Sequence, residues 1–229
     1  MQDAQDGFNL ACNDRLFLGE SLFETIKVQE AKPCFSELHW QRISNSAKSL
    51  GQSFIPFKDW QQLLLEKIQQ EQLIEGGIKA IWTGGEAPRT LIAQGQHNQL
   101  LLQCFSYELI RKPVRLIFAP WLRDLKNPIY QLKTINYLEA ILARRKARQE
   151  GADDALFFNT QGQVTEATCA NIFFIYQEKI ITPSLKDGVL PGITRFRVLN
   201  HCQKLNIAYE ETSINKKLIQ AAAEKTILR

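Results

Sequence analysis

Lys133-Thr134-Ile135-Asn136-Tyr137-Leu138 opens the stretch on which the reading of this chain turns. Tyr137, Leu138, Ile141 and Leu142 recur at helical spacing and Gly151 ends the pattern, so a helix is expected over residues 136–150 with those four as its apolar face. Ala155-Leu156-Phe157-Phe158 and Gln163-Val164-Thr165-Glu166 flank Asn159-Thr160-Gln161-Gly162, which reads as a β-hairpin. Residues 171–176 and 179–181 read as a second hairpin, and Leu190-Pro191-Gly192 leads into a helix starting near Ile193. Gly192-Ile193-Thr194-Arg195 thereby places a glycine and a hydroxyl at a helix N-terminus, where backbone N–H groups and the helix dipole favour a phosphate. Taken alone the junction says little, since most glycine-to-helix junctions bind nothing.

Upstream, residues 22–28 read as a strand, 29–32 as a turn, and Cys34-Phe35 as the start of a return strand. Ser36 is expected to cap a helix carrying Leu38, Ile43, Ala47 and Leu50 as far as Gly51, and residues 58–73 a second helix after Pro56. Strands are expected at 78–82 and 99–105. Residues 107–113, charged and with a proline, form the expected linker, and residues 114–119 open a second β-rich region. The expected fold class is α+β in two domains, a smaller N-terminal α+β domain over 1–110 and a larger β-rich C-terminal domain over 111–229.

Composition excludes several function classes. With 229 residues, 45% hydrophobic and 23% charged, the chain is that of an ordinary globular protein. No apolar run approaches the roughly 20 residues needed to span a bilayer, so no membrane is expected. Met1-Gln2-Asp3-Ala4-Gln5-Asp6 has neither the positive start nor the apolar stretch of a secretory signal, and cytoplasm is the expected location. The five cysteines are scattered without the short spacings of zinc or redox sites, so no metal is expected and the thiols read as reduced. The net charge of +4 is dispersed, and its densest run, Arg144-Arg145-Lys146-Ala147-Arg148, reads as the solvated face of the helix. No nucleic acid is expected; a small anionic substrate suits the balance.

Several ordered motifs together resemble the class IV aminotransferase-like family of fold-type IV pyridoxal-phosphate (PLP) enzymes. They are Asp14-Arg15, Gly19-Glu20-Ser21-Leu22-Phe23-Glu24-Thr25 and His39-Trp40-Gln41-Arg42-Ile43 in the first half. In the second half they are Lys133 to Leu138, Gly162 to Glu166 with Asn171-Ile172-Phe173, Thr182-Pro183, and Leu190 to Arg195. The resemblance implies that Lys133 holds pyridoxal 5'-phosphate as a Schiff base and then acts as the acid–base group. It implies that Glu166 faces the pyridine nitrogen, that Arg42 reaches the phosphate, and that Ile193 and Thr194 lie beneath it. Tyr137 is either a contact of the ring hydroxyl or a core tyrosine. His39 is structural by the same comparison, and His97 and His201 match nothing. A homodimer is implied as well.

Within that family, branched-chain aminotransferases usually have one more residue between the lysine and the Asn-Tyr pair. D-amino-acid aminotransferases carry an Arg-x-His pair where this chain has Ile78-Lys79-Ala80-Ile81-Trp82-Thr83-Gly84-Gly85. Gly84-Gly85-Glu86-Ala87-Pro88-Arg89 is similar to the Gly-rich region and arginine of aminodeoxychorismate lyases. The resemblance therefore implies conversion of 4-amino-4-deoxychorismate to p-aminobenzoate and pyruvate, a step towards folate, with Arg89 either binding the acidic substrate or lying in a solvated loop. The alternatives are a class IV aminotransferase for D-amino or branched-chain amino acids and a non-catalytic binding module of the same fold. Leu218 to Glu224 begins like a stretch that brings a hydroxyl pair to the phosphate, and the sequence stops at Arg229, so either residues are lacking or the phosphate cup is incomplete.

Overall fold

The computed structural model describes residues 10–107, 112–222 and 227–228. Residues 108–111, the middle of the expected 107–113 linker and the place of the boundary near 110, lie outside the described residues, as do the last two of the 218–224 stretch. Two compact units are formed, Met1–Ile110 with Lys133–Asn136, and Arg111–Leu132 with Tyr137–Arg229.

The first unit is an antiparallel sheet in the order β2-β1-β3-β4, from β1 (Leu22–Gln29), β2 (Lys32–Pro33), β3 (Gly76–Trp82) and β4 (Leu100–Phe105). Alternation along β1 sends Leu22, Glu24, Ile26 and Val28 to one buried face, so a carboxylate shares the row with three aliphatics. Helices α1 (Ser36–Ser49) and α2 (Phe57–Gln70) bury Ile43, Ala47, Trp60, Leu64 and Ile68. The β1–β2 turn differs from the expectation. Glu30 and Ala31, with φ of 52° and 54°, form a two-residue turn whose twist suits a hairpin, so the return strand ends at Pro33, ahead of Cys34. Phe35, at φ 56°, then turns the chain into α1 and is its N-cap, leaving Ser36 as the first helical residue.

The second unit holds two sheets. One has the order β5-β6-β7, from β5 (Leu116–Arg123), β6 (Asp154–Asn159) and β7 (Val164–Ala167). The other has the order β10-β9-β8-β11, from β8 (Phe173–Tyr176), β9 (Lys179–Pro183), β10 (Tyr209–Thr212) and β11 (Ile227–Leu228). Both expected hairpins form, β6 with β7 and β8 with β9. Strands β5 and β6 are parallel, and α3 (Leu138–Gln149) lies in the crossover between them. Helix α4 (Ile193–Lys204) starts where the glycine predicts, and α5 (Lys216–Ala222) follows β10. Leu156, Phe158, Val164, Ile172, Phe174, Ile181 and Ile214 form the main core.

Helix α3 buries a face other than the one expected. Ala140, Ala143 and Ala147 pack inward with Ala155 and Phe157, whereas Leu138, Ile141 and Leu142 are 67%, 43% and 46% exposed. Alanines let a helix approach a sheet closely, and a pattern of large apolar residues does not register them. Lys146–Glu150 and Arg148–Asp153 pair on the outer side, so the basic run is a solvated face as expected. Among the described residues no helix is long and apolar enough to cross a membrane, and no cluster of ligating side chains could hold a metal ion.

Candidate active site

Lys133 lies on the backbone of the first unit. Phe23 N donates to Lys133 O at 2.9 Å, Thr134 bridges Leu22, and Ile135 N donates to Ser21 O at 3.1 Å. The segment is thus annealed to the start of β1, which is why α3 begins at Leu138 rather than at 136. Asn136 secures its end, donating from Nδ2 to Gly19 O at 2.9 Å. Gly19 is in the left-handed region at φ 83°, and a Cβ there would stand 2.1 Å from Asn136 Oδ1. Lys133 Nζ sits 4.3 Å from the centroid of the Phe23 ring, a cation–π distance.

Arg42 and Arg89 belong to the same unit. Arg42 projects from α1 onto the buried Glu24, Nε donating to Oε1 at 2.7 Å and Nη2 to Oε2 at 2.5 Å, and His39 Nδ1 stands 2.7 Å from Oε2. His39 and Arg42 thus share the one buried carboxylate of Glu24. Burial by itself raises the Glu24 carboxyl, but the hydrogen bonds and charges of His39 and Arg42 outweigh it and hold the group below its ordinary value. Arg89 is exposed in the bend after Pro88. The loop carrying it is pinned from beneath by buried Arg15, whose Nη2 donates to Thr90 O at 2.6 Å and also to Ala93 O. Gly84 and Gly85 have a packing reason of their own. A Cβ on Gly84 would meet Glu20 O at 2.1 Å, and one on Gly85 would meet Gln96 O at 2.4 Å.

Glu166, Tyr137, Ile193 and Thr194 belong to the second unit. Glu166, on β7, has donors on both oxygens. Arg123 Nη1 donates to Oε1 at 3.0 Å, while Asn171 Nδ2 at 3.3 Å and Leu190 N at 3.2 Å donate to Oε2. Arg123 ends β5 with its side chain buried, and its Nε also donates to Glu139 Oε2 at 2.8 Å. Tyr130 Oη donates to Glu139 Oε1 at 3.3 Å; burial, and then the Glu139 charge, push this phenol up, so it keeps its proton and remains the donor.

The start of α4 is joined to Glu166 through Asn171, which donates to Leu190 O at 3.0 Å as well as to Glu166. Gly192 is the N-cap of α4 and makes no side-chain cap, so the first-turn N–H groups have no side-chain acceptor from it. Ile193 is half-buried and Thr194 exposed at this end. Tyr137, half-buried, is the N-cap of α3.

A family model described as Amino-transferase class IV matches residues 21–228. The chain belongs to this family. A crystal structure from Legionella pneumophila, named provisionally as a 4-amino-4-deoxychorismate lyase, is 50% identical, with a TM-score of 0.94 over 98% of this chain and 87% of that one. The D-alanine aminotransferase of Bacillus licheniformis is 27% identical over 212 residues, 90% of this chain and 74% of the relative. The T.th. branched-chain amino acid aminotransferase, solved with N-(5'-phosphopyridoxyl)-L-glutamate, shares the fold, with a TM-score of 0.84 at 22% identity over 98% of this chain and 80% of that one. The architecture, an α/β first unit and a β-rich second, is that of fold-type IV enzymes, as the sequence implied.

Reading this class IV chain from sequence alone misses Arg123 and the part played by Asn171. Arg123 looks there like the charged end of an apolar strand, and its partner Glu166 is 43 residues away. Asn171 opens the Asn171-Ile172-Phe173 motif, and its contacts with Glu166, Leu190 and Gly192 give it a task.

Proposed function

We propose that the protein is a PLP-dependent lyase that converts 4-amino-4-deoxychorismate into p-aminobenzoate and pyruvate. The observation carrying this reading is the 50% identity, over nearly the whole chain, to the Legionella pneumophila protein of that name. The residues fit the cofactor on their own chemistry. Glu166 and Glu139 share the Arg123 guanidinium, and a carboxylate held in this way suits a protonated ring nitrogen. The glycine-capped start of α4 suits a phosphate. Lys133 supplies the amine. PLP, when bound, supplies an electron sink for the carbon bearing the substrate amine.

The chain's own residues then divide the work. Lys133 is the attachment residue, and its Nζ removes the proton from the amine-bearing carbon of the substrate. Glu166 would favour the protonated form of the ring nitrogen. Ile193 and Thr194, at the helix end, would hold the phosphate, and so would Arg42, whose guanidinium is oriented by Glu24 and His39. Tyr137 serves the ring hydroxyl, and Arg89 the anionic substrate. Loss of the enolpyruvyl group as pyruvate makes the substrate ring aromatic, so the protein has mainly to position groups and move protons. The working form is a homodimer, a reading supported by the exposed Leu138–Ile141–Leu142 stripe. The location is the cytoplasm, which five free cysteines suit. The domains divide near residue 110, except that Lys133–Asn136 returns to the first.

The test is to supply the PLP-loaded protein with aminodeoxychorismate and no keto acid. Equimolar p-aminobenzoate and pyruvate are expected. Product that appears only with an amino donor and a keto acceptor together would replace the lyase by an aminotransferase, the activity in the name of the Bacillus licheniformis relative. Strand β3, with Lys79 between Ile78 and Ala80 and no Arg or His, speaks for the lyase.

A further inference from the structure

We infer that Arg123 is the positioning residue of Glu166, fixing both the direction and the charge balance of that carboxylate; the inference rests on the reading of Glu166 given above. Four observations converge on it. First, the guanidinium has little freedom to turn, because its Cζ lies 3.7 Å from the Phe157 ring centroid and 4.8 Å from that of Tyr130. Second, it serves two carboxylates in different directions, with Nε on Glu139 at 2.8 Å and Nη1 on Glu166 at 3.0 Å. A planar fork does this in one orientation, whereas a lysine ammonium on a flexible stem has no such fixed geometry.

Third, the backbone beneath it is locked. Arg123 pairs with Asn159 in the β5–β6 register, and its carbonyl accepts from Thr160 N at 3.0 Å. Fourth, one cation is shared by two carboxylates. Removing Arg123 would take the same positive charge from Glu139 and from Glu166, which favours protonating one of them. A neutral Glu166 could no longer favour a protonated ring nitrogen by charge. Glu139 lies in the first turn of α3, six residues after Lys133, so the same guanidinium also ties the helix that follows the attachment lysine to the strand carrying Glu166. A purely structural role has to be separated from a positioning one for that reason.

A double-mutant cycle separates them. Arg123→Met and Arg123→Lys are each made alone and with Glu166→Gln, and PLP retention and the visible circular dichroism of bound PLP are measured beside the melting temperature. With Glu166 present, each Arg123 substitution is expected to weaken PLP retention about ten-fold or more and to alter the dichroic band; with Gln at 166 the further loss is expected to be less than about two-fold. Equal losses in both backgrounds, with Glu166→Gln itself effective, would overturn the inference and leave the reading of Glu166 standing. If Glu166→Gln changes neither retention nor the band, that reading fails and the inference with it. Should Arg123→Met not fold, Arg123→Lys decides by the same comparison; a chain that folds with neither assigns Arg123 to folding and overturns the inference.

Discussion

Arg42 grips Glu24 with two nitrogens, at 2.7 Å and 2.5 Å, on the same buried face of β1 that carries Leu22, Ile26 and Val28. A charge in that row is tolerable only because His39 and Arg42 both serve it. Removing one partner of a buried pair leaves the other charge uncompensated. The acid end of the pH range reports on this arrangement.

Glu24→Gln is expected to destabilise the folded chain near neutral pH by about 3 kcal/mol, the lower part of the range for a broken buried ion pair. The sign of the pH dependence follows from the direction of the shift. A carboxyl held below its ordinary value contributes stability above the unfolded-chain value of about 4.3, and loses it as the pH falls through the folded value. The gap between parent and variant in urea unfolding should therefore narrow below about pH 4. A gap that stays constant down to about pH 2.5, or widens, would show that the Glu24 charge is not what the pair contributes.

Lys133 is expected to carry the pyridoxyl adduct after borohydride reduction of the PLP-loaded protein and peptide mapping. Its backbone, hydrogen-bonded to Phe23 and followed by the Thr134–Leu22 bridge, gives the amine a fixed origin. Lys133→Ala should fold with nearly the parental melting temperature and lose the visible absorption of bound PLP. An adduct on Lys79, which also stands over the Phe23 ring, or on any other lysine would remove Lys133 from its role.

Much of this was legible in the sequence where the governing forces are local. The 155–166 hairpin follows from two apolar runs around a turn, and the start of α4 follows from Gly192. Long-range contacts were not legible. The strand-like course of Lys133–Asn136 depends on Ser21, Leu22 and Phe23, more than a hundred residues earlier, and a local pattern assigns Asn136 to the helix instead. The pairing of Arg123 with Glu166 is hidden for the same reason. Helix α3 differs for another reason. Its packing face is made of alanines, which carry little apolar signal, so the larger Leu138, Ile141 and Leu142 dominate the sequence pattern although they lie on the outer side.

That outward stripe leads to the prediction for assembly. Leu138, Ile141 and Leu142 occupy i, i+3 and i+4 positions on one side of α3 and are substantially exposed in the single chain. Light scattering of the parent should give twice the chain mass of 26.3 kDa. Ile141→Glu with Leu142→Glu should lower the mass to that of one chain, with helix content kept. A parent that runs as a fully active monomer would remove the dimer, and a double variant that remains dimeric would move the interface away from α3.

Gly192→Ala tests how the start of α4 is linked to Glu166. The backbone at Gly192 has φ −73°, which alanine adopts without strain, so any effect must come from the added methyl group. That methyl would stand 1.8 Å from Asn171 Oδ1. Asn171 can rotate away, but it then gives up its hydrogen bonds to Glu166 and to Leu190 O, at about 1 kcal/mol each. The fold should therefore survive with a modest loss of stability, while PLP retention falls about ten-fold as Glu166 loses a donor. Asn171→Ala is expected to reproduce the loss, and adding Gly192→Ala to it should cost little more, since the collision no longer exists. If the two substitutions are instead additive in PLP retention, Gly192 acts through the helix end itself and Asn171 does not link it to Glu166.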